Sequence, residues 1–254
     1  MENRDGTHAQ HQAASQRVAG RFRAPWLRSY ARGKLRRDAV FPTAYELLRS
    51  SPHPILDVGC GVGLLGLYLR ERGCRNPVLG LDADTRKIDR GAAVAAADYD
   101  DLELRFHDVR SGVPPFRGNV ALFDVLHYLP GQVQRAVLSR LAESVAPGGM
   151  LIIRDCPRER RPRFWMTWMA EKFAQAITWN IDTTLHFPSR ASIDDAFSRD
   201  EFVGETRPLW GGSPFNNHIF IFRRVAPAVG PAGGLRTGIP SRPVCSGLPR
   251  DTAD

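Results

Sequence analysis

The short apolar run Ile55-Leu56-Asp57-Val58 ends in three alternating glycines, Gly59-Cys60-Gly61-Val62-Gly63, and opens onto an apolar stripe at Leu64, Leu65, Tyr68 and Leu69. A strand that turns through such a loop into a helix leaves few folds open. Glycines allow a tight turn and let a ligand approach where a Cβ would stand in the way. The helix start then offers backbone N–H groups that no earlier carbonyl can accept. In open α/β sheets ligands lie beyond the carboxyl ends of the strands, which is where this loop sits.

The rest of the chain repeats the alternation. Strand patterns fall at 55–58, 78–81, 102–106, 120–123 and 150–153, and helix patterns at 64–70, 86–97, 133–145, 165–177 and 191–197. Segments 202–209 and 218–222 read as a closing strand pair. Strands alternating with helices predict βαβ units and a mostly parallel sheet. Upstream, 26–37 after Pro25 and 41–48 read as helices. The expected organisation is a disordered segment 1–20, a helical lid 21–53, one α/β domain 54–224 and a disordered tail 225–254. The tail holds five Pro and five Gly, and residues 1–20 lack apolar periodicity. The stripe Trp165, Trp168, Met169 and Phe173 reads as ordinary core, or as an apolar cover over an aromatic acceptor.

Hydrophobic residues make up 43% and charged residues 24% of the chain, and no apolar run reaches the length of a membrane span. Cys60, Cys74, Cys156 and Cys245 show no CxxC spacing and no nearby His pair. No zinc site or disulfide framework is expected, and a cytoplasmic location is. The formal charge is +8, with nine basic against three acidic residues in 1–40 and a second cluster at Arg154, Arg158, Arg160, Arg161 and Arg163. Such a bias fits an acidic partner. A solvated charged face or an anionic membrane surface accounts for the same residues.

Gly61-x-Gly63-x-x-Gly66 also fits the dinucleotide fingerprint, a weak signal alone. Asp57 argues against it. A carboxylate at that strand end repels a pyrophosphate and attracts a cationic amine. Asp82 ends the second strand, where it can accept both ribose hydroxyls, and Asp108 follows the third, where it can accept from an adenine amino group.

In order and spacing, residues 57–63, Gly80-Leu81-Asp82, His107-Asp108-Val109, 123–129 and Pro147-Gly148-Gly149 resemble the successive motifs of class I S-adenosylmethionine-dependent methyltransferases. The resemblance implies a Rossmann-like seven-stranded sheet with an antiparallel last strand, helices on both faces and an N-terminal helical lid. It implies S-adenosyl-L-methionine as cofactor, held by Asp57, Gly59, Cys60, Gly61, Gly63, Leu64, Asp82, Ala83, Asp108, Val109 and Asp124.

Amino-methylating nucleic-acid enzymes of this kind carry Asp/Asn-Pro-Pro-aromatic after the fourth strand. Here the residues are Asp124-Val125-Leu126-His127, so no nucleic-acid partner is expected. The pattern is more similar to enzymes acting on small molecules, with a narrower likeness, at 151–156 and 210–217, to methyltransferases of aryl-polyene pigment clusters. The expected acceptor is a small-molecule oxygen or carbon nucleophile, free or tethered to an acidic carrier protein. His127 is the candidate general base, and Tyr128 and Arg154 are candidate acceptor contacts. Cys60 reads as a small filler. The alternative is a non-catalytic or RNA-binding protein built on the same fold.

Overall fold

The computed structural model describes residues 2–159, 162–176, 184–211 and 214–226. Three helices come first: α1 (Glu2–Arg21), α2 (Pro25–Arg37) and α3 (Val40–Leu48). The α/β alternation follows as β1 (Ile55–Val58), α4 (Leu64–Glu71), β2 (Val78–Asp82), α5 (Thr85–Asp98), β3 (Leu102–Phe106), β4 (Asn119–Phe123), α6 (Gly131–Ser144) and β5 (Met150–Asp155). The chain continues through α7 (Pro162–Ala176), α8 (Arg190–Asp194), β6 (Phe202–Pro208) and β7 (His218–Arg224).

The seven strands form one sheet in the order β3-β2-β1-β4-β5-β7-β6. β1 to β5 are mutually parallel, and β7 runs antiparallel to both β5 and β6. This is the expected Rossmann-like sheet. The central strands are apolar except near their ends, because helices cover both faces; β1 and β5 are buried along their whole length, Asp57, Arg154 and Asp155 included. The strand order reverses between β1 and β4. Val58 pairs with Leu81 on one side and Leu122 on the other. The glycine loop, Asp82 and Asp124 therefore meet at one edge, in the crevice where such sheets bind ligands.

Residues 1–20 were expected to be disordered, and the structure corrects this: 2–21 form α1. Its buried residues His11, Ala14, Ser15, Val18 and Ala19 recur at helical spacing. Three of the five, Ala14, Ser15 and Ala19, are small, so the stripe carries little apolar signal, yet it lets α1 lie close against α2 and α4. Arg17 and Arg21 both pair with Glu71 at 2.5 Å, and His11 Nδ1 lies 2.9 Å from the Tyr68 hydroxyl. The expected tail lies outside the described residues from 227 onward.

A second correction concerns α7. Trp165, Trp168 and Met169 are exposed rather than core. The helix turns Phe164 and Thr167 inward instead. The side chain of Phe173 lies outside the described residues.

Candidate cofactor and acceptor site

At the carboxyl edge of the sheet a cavity of about 380 Å³ opens between the glycine loop, the ends of β2 and β4, and helices α2 and α3. Gly59, Gly61 and Gly63 all have positive φ, at 76°, 58° and 77°. They do different work. A Cβ on Gly59 would lie 2.2 Å from Val125 Cγ2 and one on Gly63 2.6 Å from Leu104 Cδ1. A Cβ on Gly61 would meet nothing within 4 Å and would occupy space beside the cavity it lines. Gly63, expected as a cofactor contact, is not among the lining residues; it starts α4 in the left-handed conformation. Cys60 lines the cavity with its thiol pushed well up by burial, and a Cβ on Gly80 would lie 2.9 Å from its sulfur, as suits a packed filler.

Five acids line this space, and Asp57, Asp82, Asp108 and Asp124 are the four expected from the sequence. Asp57 lines the cavity, and its carboxyl is pushed up to about 7 by burial and by nearby Asp82. Asp82 Oδ2 accepts the Gly61 N–H at 2.7 Å and Oδ1 accepts the Asp84 N–H at 2.9 Å. The carboxylate is thus fixed while each oxygen keeps lone-pair capacity toward the cavity. Asp108 lines the far end and is gripped by Arg110, whose Nε lies 2.8 Å and Nη2 2.6 Å from Oδ2; that hydrogen bonding holds its carboxyl below the ordinary range. Ala83, Val109 and Leu64 complete the expected contacts along the wall.

These groups fit S-adenosylmethionine. A buried carboxyl crowded by a second one favours a cationic ligand group, and the methionine amine has that charge. Asp82 has the acceptors for a ribose diol. A pyrophosphate would meet two carboxylates instead of free N–H groups.

Asp124, the fourth of these acids, directly follows β4 and has φ +57°. Arg154 Nη2 lies 2.5 Å from Asp124 Oδ2 and 2.8 Å from Asp38 Oδ2. Lys34 Nζ lies 3.0 Å from Asp38 and 3.4 Å from Asp124. Neighbouring Arg154 and Lys34 hold the Asp38 carboxyl down to about 2. The network ties α2 to the ends of β4 and β5 along the cavity wall. Lys34, Asp124 and Arg154 line the cavity, as do Tyr30 and Phe41 from the same helical segment. Sequence reasoning did not single out Tyr30 and Phe41 as site residues; their helical spacing marks them only as one face of an amphipathic segment.

His127 does not line the cavity, although Asp124, Val125, Tyr128 and Leu129 around it do. It is buried, with Nδ1 2.8 Å from Asp155 Oδ1. Its ring stacks on Phe187 at 5.2 Å, and its carbonyl accepts the His186 N–H at 2.7 Å. Asp155 was not foreseen: β5 runs two residues beyond its predicted end at 153, and Asp155 also accepts the Cys156 N–H at 2.8 Å. The Cys156 thiol is pushed up to about 12 by burial, which leaves it protonated and inert near neutral pH.

Residues 55–149 match the model of a family described as a methyltransferase domain. The chain is 32% identical over 119 residues to trans-aconitate 2-methyltransferase of Sinorhizobium fredii, covering 44% of this chain and 43% of that one. It is 31% identical over 100 residues to ribosomal RNA small subunit methyltransferase C of Pseudomonas aeruginosa, covering 38% and 30%. The chain thus spans less than half the length of these curated relatives. Among solved structures, magnesium protoporphyrin IX methyltransferase from Synechocystis with bound S-adenosylhomocysteine superposes with a TM-score of 0.59 at 18% identity, covering 84% of this chain and 93% of that one. The likeness to that structure is one of fold.

Proposed function

We propose that the chain, whose residues 55–149 match the methyltransferase-domain family, is a class I S-adenosylmethionine-dependent enzyme that transfers a methyl group to an oxygen or carbon nucleophile of a small molecule. One observation carries the reading: a buried carboxyl, Asp57, faces a cavity beside the ribose-type acceptor Asp82, with the wall left open at Gly61. When bound there, S-adenosylmethionine supplies an electrophilic sulfonium methyl and leaves as S-adenosylhomocysteine. Asp57 holds the amine, Asp82 the ribose, and Asp108 with Val109 the adenine end. Tyr128 and Arg154 border the acceptor side. The α2–α3 segment closes the cavity as a lid, with Tyr30 and Phe41 keeping water from the reacting atoms.

A sulfonium methyl needs little acid–base help, so orientation and water exclusion carry most of the rate. His127 then serves as a strut that fixes the turn after β4. A second reading has a specific support: the Asp155 contact favours the tautomer protonated on Nδ1, which places the lone pair on Nε2 for use as a base.

A small-molecule acceptor is favoured over a nucleobase because Asp124 is tied to Arg154 and Lys34, and no proline pair follows it. Two of the residues expected to steer an acidic carrier, Lys34 and Arg154, are engaged in that same network. A carrier-tethered acceptor would rest on exposed Arg32, Arg36, Arg37 and Arg158.

Thermal unfolding with candidate ligands tests the cofactor. S-adenosylmethionine and S-adenosylhomocysteine should raise the melting temperature and NADH should not, with the shift largely removed in Asp82→Ala. Stabilisation by NADH alone would overturn the proposal.

A further inference from the structure

Helix α7 exposes Trp165, Met166, Trp168 and Met169, at 59%, 47%, 38% and 64%. They are four of the eight large apolar side chains exposed among the described residues, gathered within five positions. Single exposed apolar residues need no explanation; a contiguous group of this kind does. The exposure is not that of a loosely attached helix. Phe164 and Thr167 on the opposite side are buried, and Thr167 Oγ1 accepts the Asn216 N–H at 3.0 Å while donating to the Arg163 carbonyl at 3.0 Å. Arg163 lies over the Trp210 ring at 4.7 Å. The inner face is anchored and the apolar face points outward.

The chemistry of that face selects its occupant. Trp combines an apolar body with a polar N–H and suits the boundary between lipid and water. Lys172 is exposed one turn beyond Trp168, on the same side, where its apolar stem can lie along the ridge while the ammonium reaches outward. Arg158 is exposed before the helix begins. Residues 156–176 hold five basic against two acidic side chains, on a chain of net charge +8. An apolar ridge with a basic rim is complementary to an anionic lipid surface. A second copy of this chain is a poorer occupant, since a two-fold contact through this face would bring like charges together. No helix of the described residues is long and apolar enough to cross a membrane, so the contact would be peripheral.

We propose that the outward face of α7 docks on an anionic lipid bilayer, with Trp165, Met166, Trp168 and Met169 entering the headgroup boundary and Arg158 and Lys172 pairing with lipid phosphates. The placement has a consequence for the acceptor, and this part rests on the methyl-transfer reading. Phe164 lies 5.0 Å from Phe187, which stacks on His127 beside cavity-lining Tyr128. Through Phe187 and His127 the inner side of α7 thus packs behind the turn that carries Tyr128, and an acceptor dissolved in the bilayer would reach the cavity from that end.

Sedimentation of the full chain with vesicles tests the docking without relying on activity. The vesicles are phosphatidylcholine alone or with about one third phosphatidylglycerol. Binding to the mixed vesicles, a blue shift of tryptophan emission and weakening by salt are expected. The double substitution Trp165→Ser/Met169→Ser should lower vesicle affinity by roughly tenfold or more, since each buried apolar side chain contributes on the scale of that factor. Melting temperature with S-adenosylmethionine should stay as in the unsubstituted chain, which separates failure of this inference from failure of the cofactor assignment. Lys172→Glu provides a second variant that leaves the apolar face intact and should also weaken binding. Binding to neither vesicle, or binding unchanged by both variants, would overturn the proposal. So would self-association abolished by the double substitution without vesicle binding, which would assign the face to a second copy.

Discussion

Arg154 Nη2 lies 2.5 Å from Asp124 Oδ2, and Asp124 is the described non-glycine residue held at positive φ, +57°. A backbone in that region costs about 1–3 kcal/mol and persists only where its surroundings impose it. The buried guanidinium is one such constraint, since it grips Asp124 on the strand end and Asp38 at the end of the lid helix together. Arg154→Met removes the cation from among two carboxylates and leaves Lys34 alone to balance them. Loss of one member of a buried pair costs about 3–5 kcal/mol. Urea unfolding should show a loss near the lower figure, because Asp124 is partly exposed, and calorimetry should show weaker S-adenosylmethionine binding through the loosened lid. Unchanged stability would remove the network from the account of how α2 is held.

Asp38 makes a separate prediction about acid. Its folded carboxyl sits at about 2, below its ordinary value of 3.8, because Arg154 and Lys34 favour the charged form over the cost of burial. A depressed folded value means stability that is present above about pH 4 and is lost as pH falls toward 2. Asp38→Asn lacks this contribution at every pH. The stability difference between the unsubstituted chain and Asp38→Asn should therefore be largest at neutral pH and should shrink between pH 4 and 2. A difference that stays constant over that range would show that Asp38 contributes by shape alone.

Asp57 behaves in the opposite sense. Its carboxyl is pushed up to about 7, so without ligand the protonated form dominates below that pH. A cationic amine favours the carboxylate, and binding then releases a proton. Affinity for S-adenosylmethionine should rise by up to about tenfold per pH unit as pH climbs toward 7. It should level off above 7 and fall once the ligand's α-amino group loses its proton near about pH 8. Asp57→Asn should bind more weakly at pH 7.5 and show no rise through pH 6–7. Titration calorimetry at several pH values measures this directly. A flat profile in the unsubstituted chain would move the amine away from Asp57.

The sheet and the cofactor side were legible because they follow local rules. Strand 55–58, the glycine loop and helix 64–70 each announce themselves by periodicity or by residues that tolerate positive φ, and Asp82 and Asp108 follow from strand ends in register. What escaped depends on partners distant in sequence. Asp155 looks like the residue after a strand until its contact with His127, 28 positions earlier, becomes visible. Lys34 reads as one more surface charge until α2 brings it to Asp124, 90 positions later. The exposed side of α7 has the same periodicity as a buried one, and only packing decides which face turns inward.

Helix α1 was missed for a different reason: its buried stripe is mostly alanine and serine beside His11 and Val18, and its stabilisation comes from close approach and from Glu71. That yields a test at Val18, which is fully buried against the body of the domain. Val18→Asp places a carboxylate in an apolar contact with no partner. Burial of an uncompensated charge is costly enough that α1 should detach instead, losing its burial and the Arg17 and Arg21 pairs with Glu71. The expected loss is about 2–4 kcal/mol by denaturant unfolding. Deleting residues 2–21 should destabilise to a similar degree. Full stability after the deletion would make α1 an ornament.

His127 separates two roles that the geometry leaves adjacent. As a strut, its imidazole joins the turn after β4 to the end of β5 through Asp155 and supports Phe187 by stacking. Substitution by Ala should then lower stability and S-adenosylmethionine affinity together. His127→Gln, which keeps a hydrogen-bonding side chain of similar reach, should restore much of both and most of the turnover with any accepted small molecule. As a base, the outcome divides differently. Cofactor affinity would hold in both variants, and turnover would fall by roughly 10²–10⁴-fold in both, because glutamine cannot take a proton. Asp155→Asn extends the comparison. A strut needs only a hydrogen-bond acceptor opposite Nδ1, which the asparagine carbonyl supplies. A base needs the carboxylate to stabilise the imidazolium that forms, so Asp155→Asn would displace the pH–rate profile and lower its plateau. Turnover at saturating S-adenosylmethionine, followed from pH 5.5 to 9 in the three variants, decides between them. Rescue by glutamine with an unshifted profile in Asp155→Asn leaves methyl transfer to orientation and water exclusion.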